Sequence, residues 1–140
     1  MTTQIGGSMD LINLVLALAL AQFIYFGVMV GRARGKYGVA APATTGNEIF
    51  ERYFRVQMNT LELLVAFVPG IYAFSQYYSQ NTAALFGAVY LIGRGIFFVS
   101  YVKDPKSRSL GFGLSMMPIL VFIIGTLYGA ASAYWRAHGG

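Results

Sequence analysis

Between Leu11 and Val30 the chain runs for twenty residues without one charged side chain. A helix needs about 20 apolar residues to cross the hydrocarbon core of a bilayer, so this stretch removes most water-soluble folds from consideration. It is too long for a signal peptide, no basic residue precedes it, and Arg32, Arg34 and Lys36 close it. Three more such segments follow. The second half of 48–77 is apolar, 82–101 is broken only by Arg94, and Leu110 to Trp135 carries no charge. Only 11% of the residues are charged, against about 25% in a soluble domain, too few to wet a globule. No segment alternates with a period of two, which excludes a barrel. The expected fold class is an all-α integral membrane protein, a bundle of four transmembrane helices in one domain over 10–136. The helices are placed at about 10–32, 48–77, 82–101 and 108–135. Residues 1–9 are set apart as a tag-like or disordered N-terminus, with Met9 a candidate natural start.

The connections carry ordinary punctuation. Thr45 or Asn47, at the end of a Gly/Ala/Pro/Thr stretch, is placed to cap the second helix. Pro69 is expected to kink that helix. In the fourth, Gly125 and Gly129 stand four apart, a spacing that permits close helix contact; the abundance of glycine, 17 in the chain, is the competing explanation.

The net charge of +5 is gathered beside the apolar runs. Arg32, Arg34, Lys36, Arg52, Arg55, Lys103, Lys106 and Arg108 lie in or near the first and third connections, and the second connection has no basic residue. This is topology rather than a nucleic-acid surface. The positive-inside bias puts both basic connections in the cytoplasm and both termini outside, in an inner or cytoplasmic membrane. With no cysteine and His138 as the single histidine, cysteine catalysis, a histidine-led metal site and a Ser-His-Asp triad are all excluded. No metal is expected.

The chemistry concentrates on the second helix. Glu51, Arg55, Asn59 and Glu62 are spaced 4, 4 and 3 apart, which at about 100° per residue puts them on one narrow arc. On the third helix Tyr90, Arg94, Phe97 and Tyr101 form a matching stripe. Packing the stripes together would let Glu51 or Glu62 answer Arg94 or Arg55. An unpaired charge in lipid costs about 2.5–3.5 kcal/mol or more, so such residues turn inward and find partners. For Glu51, Arg52 and Arg94, ion pairs holding helices together are a sufficient explanation. Arg55, Asn59 and Glu62 exceed what one helix contact needs, and their mixed charge suits a small zwitterion. Arg108 and Arg34, near the membrane face, have snorkelling to phosphate as the plain alternative.

The run from Phe50 to Glu62, FERYFRVQMNTLE, resembles the signature of the membrane-associated proteins in eicosanoid and glutathione metabolism, the MAPEG family. Thr44-Thr45-Gly46, and Val89-Tyr90-Leu91 followed by Arg94 and Tyr101, fit the same pattern, and the resemblance spans roughly residues 10 to 130. It implies a homotrimer with glutathione bound between subunits near the cytosolic face. On that resemblance Arg55, Asn59 and Glu62 hold glutathione, and Gln57 faces the neighbouring subunit. Tyr101 contacts the peptide, and Arg34 is a basic ligand supplied across the interface. Arg108 is the catalytic arginine that stabilises the glutathione thiolate. Three positions depart from the leukotriene-synthesising members: Gly35 replaces a second arginine, Leu63 a tyrosine, and Phe97 a tyrosine whose hydroxyl would lie near the peptide.

The activity so implied is a membrane-bound glutathione transferase or peroxidase. It would add glutathione to a lipophilic electrophile or reduce a lipid hydroperoxide, with glutathione as co-substrate. Two other readings compete. One is a non-catalytic lipid-binding scaffold of the same family, whose lipoxygenase-activating member lacks the arginine matched by Arg55. The other is a small multidrug exporter, which depends on a carboxylate inside the first helix; Leu11 to Val30 has none.

Overall fold

The computed structural model describes residues 9–139. Of the segment set apart at the N-terminus, residues 1–8 lie outside the described residues, while Met9 packs, partly buried, against the core. Four helices account for nearly all the rest: α1 (Asp10–Tyr37), α2 (Glu48–Ser75), α3 (Gln80–Lys103) and α4 (Ser109–His138). Each is long and apolar enough to cross a membrane.

Local chemistry sets the ends. α1 continues past Arg32 because Arg32–Tyr37 holds no proline and its single interior glycine, Gly35, costs only about 1 kcal/mol. It stops at Gly38, whose φ of 71° is left-handed and suits a residue without Cβ. Asn47 caps α2: its Oδ1 accepts from Phe50 N at 2.9 Å, the usual service of an N-cap side chain. Glu51 works in the same turn, accepting from Gly46 N at 3.0 Å. Ser79 caps α3 by accepting from Thr82 N. At the far end of α3, Arg52 donates to the carbonyls of Val102 and Lys103, satisfying groups that a helix C-terminus leaves orphaned. A 3-10 turn over Pro105–Ser107, capped by Asp104, leads into α4.

The core is packed from all four helices. Phe67 of α2 stacks on Tyr90 of α3 with ring centroids 3.9 Å apart, and Phe122 of α4 closes against Phe67. Ile12, Ala19, Ile71 and Ala83 are wholly buried around them. α3 and α4 approach through Gly93 and Gly111. A Cβ on Gly93 would meet Leu114 C and Ser115 N at 2.7 Å, and one on Gly111 would overlap the backbone of Phe97. Gly125 and Gly129 do pack closely, against the aromatic rings of Phe74, Tyr78 and Tyr77; Tyr78 also donates its hydroxyl to Gly125 O at 2.7 Å.

Candidate active site

α2 and α3 meet along the two polar stripes, and of the pairings the spacing suggests one forms, Glu62 with Arg55, while Arg94 is held differently. Glu62 answers Arg55 on its own helix, seven residues away, with Nη2 3.1 Å from Oε1. Arg94 meets no carboxylate among the described residues. It is fully buried and donates from Nε to Ser115 Oγ at 2.8 Å, and from Nη1 to Asn59 Oδ1 at 2.8 Å and Thr60 Oγ1 at 3.1 Å. Its guanidinium lies 4.3 Å from the centre of the Phe97 ring. The two hydroxyls that accept from it are fixed by donating back four residues, Thr60 to Val56 O and Ser115 to Gly111 O, a habit of hydroxyls inside helices.

The expected ion pairs therefore need correcting. Arg52 does form an ion pair, with Glu48 one turn back on its own helix at 3.2 Å. Glu51 serves the turn before α2 and Arg94 is held by neutral acceptors. A carboxylate opposite Arg94 would have had to be desolvated as well, a penalty of its own that the neutral hydroxyls and amide accepting from Arg94 do not carry.

Beside this buried network lies a cleft of about 380 Å³ lined by Arg55, Asn59, Phe97, Tyr101, Arg108 and Phe112, within the range of about 300–1,000 Å³ typical of small-molecule sites. A second recess of about 340 Å³ adjoins it, sharing Arg55 and Tyr101 and adding Thr44, Glu48, Glu51 and Phe54. Phe97 is buried and stacks on Tyr101 with centroids 5.3 Å apart, so the floor is aromatic. Arg108 stands exposed at the start of α4, whose first turn has no side-chain cap. The free backbone N–H groups there add positive potential to that of the guanidinium.

Five of the residues singled out in the sequence thus come together in one cleft: Arg55, Asn59, Phe97, Tyr101 and Arg108. Glu62 joins them through Arg55. Two others sit elsewhere within the chain. Arg34 donates to Ala43 O at 2.7 Å and lies over the Phe50 ring, fastening the connection after α1. Gln57 rests against α1, where a Cβ at Gly27 would meet its Nε2 at 2.8 Å. The sequence reading missed Thr60, Ser115, Glu48 and Phe112. Ser115 had a usable signal, as the one hydroxyl in the apolar run from Leu110 to Val121.

The model of the MAPEG family matches residues 12–128. An uncharacterized protein of Synechocystis sp. is 45% identical over 114 residues, covering 81% of this chain and 83% of its own. Human microsomal glutathione S-transferase 2 is 37% identical over 130 residues, or 92% and 88% of the two chains. Leukotriene C4 synthase of Cavia porcellus is 32% identical over 111 residues, covering 79% of this chain and 64% of that one.

Proposed function

The chain belongs to the MAPEG family, and from that premise and the cleft we propose that it is a membrane-bound glutathione transferase, active on lipophilic electrophiles and able to reduce lipid hydroperoxides. The observation that carries the proposal is the gathering of Arg55, Asn59, Tyr101 and Arg108 around one cleft, with Glu62 bonded to Arg55. Glutathione is a peptide with two carboxylates, one ammonium and a thiol. Arg55 offers a fork of donors to a carboxylate, and Glu62 is the one acidic group of the cluster suited to the ammonium. Tyr101 and Phe97 give the peptide an aromatic floor.

A free thiol has a pKa near 8.5, so at neutral pH it is mostly protonated, and the thiolate is the nucleophile. In this reading Arg108 and the uncapped start of α4 stabilise the thiolate. The sulfur lone pair then forms a C–S bond while the electrophile's leaving group, or an opened epoxide oxygen, departs with the electron pair and takes up a proton. With a hydroperoxide the thiolate sulfur attacks the terminal oxygen, the O–O bond breaks and the alkoxide takes up a proton to leave as an alcohol. A second glutathione thiol then attacks the resulting sulfenic acid, forming the disulfide and releasing water.

Trimer assembly and a site shared between subunits form part of the proposal. Arg55 and Glu62 have side chains 49% and 57% exposed in the single chain, and Glu62 falls near the middle of α2. An ion pair at that depth is costly against lipid; a neighbouring copy and a polar ligand would cover it. Arg34 would be the neighbour's contribution, exchanging its present carbonyl partners for a carboxylate, and Gln57 would face that neighbour.

The test is to add glutathione to purified protein in detergent and follow the ultraviolet absorbance of the thiolate. Arg108→Leu should bind glutathione within about threefold of wild type yet lose the thiolate band and about 10²–10³ in kcat, as removal of one electrostatic donor does elsewhere. Equal losses in binding and turnover would count against the role of Arg108. The membrane orientation is open to a separate check. The chain has no cysteine, so one introduced at Lys106 should label only from the cytoplasmic side, and one at Ser79 only from outside.

A further inference from the structure

Asn59 lies between two arginines: Arg55, one turn away on α2, and Arg94, fixed inside the bundle. Arg94 Nη1 is 2.8 Å from the Asn59 side chain. A guanidinium has five N–H donors and no lone pair to offer. The atom facing it must therefore be the carbonyl oxygen Oδ1, which leaves the amide nitrogen Nδ2 as the end turned away from Arg94. Asn59 also lines the cleft. We infer that Arg94 is a positioning residue which locks the Asn59 amide so that it presents only a donor to the cleft, selecting an acceptor, a peptide carbonyl or carboxylate, at that point of the ligand. The inference rests on the glutathione reading above for the identity of the ligand, but not for the orientation of the amide.

The surroundings make the lock firm. Arg94 cannot swing away, because its Nε is held by Ser115 and its plane is packed on Phe97. Neither Thr60 nor Ser115 competes for Asn59, since each hydroxyl proton is committed to a backbone carbonyl of its own helix. A cationic donor also draws electron density from the amide and strengthens the donor at its other end. The cleft thereby becomes one-sided: Arg55, Arg108 and the Asn59 amide donate, and acceptance is left to Glu62 and the Tyr101 hydroxyl. That asymmetry fits a ligand with more carboxylate and carbonyl oxygens than N–H groups.

The same pattern predicts a variant that folds. Replacing Arg94 by methionine fills much of the space, and Thr60 and Ser115 keep their carbonyl partners, so no buried hydroxyl is stranded. Two measurements decide the matter. The first needs no ligand: in asparagine-labelled protein the Asn59 side-chain amide, assigned by its loss in Asn59→Ala, should give one resonance pair exchanging with water, and broaden or double in Arg94→Met. An amide shielded from water in the wild type would overturn the inference. The second is a binding cycle read as glutathione Kd. Asn59→Asp keeps a partner for Arg94 but turns an oxygen toward the ligand, and should weaken binding about tenfold to hundredfold, the loss expected for a hydrogen bond to a charged group turned repulsive. Arg94→Met should weaken it about threefold to tenfold in the wild type and by less than about twofold in the Asn59→Ala background. Equal effects of Arg94→Met in both backgrounds would mean that Arg94 acts through its charge or through stability alone, and the inference would be wrong. Should wild-type protein take up no glutathione, the proposed function falls and the ligand half of this inference with it, while a single water-exposed amide orientation would still uphold the lock.

Discussion

Arg55 and Arg94 stand on facing stripes of neighbouring helices, and the bundle treats them in opposite ways. Arg55 is half exposed and has a carboxylate, Glu62. Arg94 is wholly buried and has only an amide, two hydroxyls and a ring face. Intuition would give the deeper charge the counter-charge. Desolvation explains the reverse: a second buried ion adds a penalty of its own, whereas an amide and two hydroxyls accept from Nε and Nη1 of Arg94 and leave only its Nη2 without a partner among the described residues. The carboxylate is spent instead where a polar ligand can reach it. Charge inside this bundle is thereby divided into a set that holds helices and a set that is open to chemistry.

The largest expected effect tests that division through stability. Arg94→Ala should leave a cavity where α2, α3 and α4 meet and remove every hydrogen bond that ties them there, a loss of about 3–5 kcal/mol, as for the deletion of other large core side chains. Thermal unfolding followed by circular dichroism in one detergent would show it as a clear drop in midpoint. Arg55→Ala, taken in parallel, should cost less, because the one ion pair of Arg55 lies within α2 and ties no helix to another. If the two variants melt together, the division between holding and reacting charge is mistaken.

A smaller effect sharpens the other side of the comparison. Glu62→Gln keeps the shape of the side chain and an acceptor for Arg55 but loses the charge offered to an ammonium. Glutathione affinity should fall about tenfold, measured by calorimetry, with the melting midpoint unchanged. Glutathione lacking its amino group should bind the variant and the wild type alike.

The same contrast explains what was legible in the sequence. Four spans could be read because lipid demands long uncharged runs, a constraint strong enough to survive without tertiary knowledge. Arg55, Asn59 and Glu62 could be read as one face because a helix fixes the angle between its own residues. The partners of Arg94 could not, because they depend on how α2 and α4 are turned toward α3, and α4 comes this close to α3 only where Gly93 and Gly111 carry no Cβ. Ser115 becomes a partner only through that approach. Glu48 stood in the sequence as a possible partner for Arg52, because four residues along a helix bring side chains together, but nothing in its position at the helix start singled it out. The capping work of Glu51 and Arg52 was hidden for a similar reason: orphan backbone groups at a helix end leave no mark on composition.

Phe97 offers the finest test, because it touches both sets of residues. Its ring carries the guanidinium of Arg94 on one side and stacks with Tyr101 on the other, and it also lines the cleft. The backbone of the same residue is pressed against Gly111, so the ring has little freedom to move. Phe97→Tyr adds one hydroxyl at the rim of an otherwise rigid stack. If the ring belongs to the reachable set, the hydroxyl finds the peptide or water, and glutathione Kd should tighten by about twofold to tenfold, the net worth of one neutral hydrogen bond. If it belongs with Arg94 alone, the hydroxyl is driven into a packed interior with no acceptor, and the midpoint should fall by the equivalent of about 1–3 kcal/mol with no gain in binding. Tighter binding at unchanged stability is the expected result, because Phe97 lines the cleft as well as packing against Arg94.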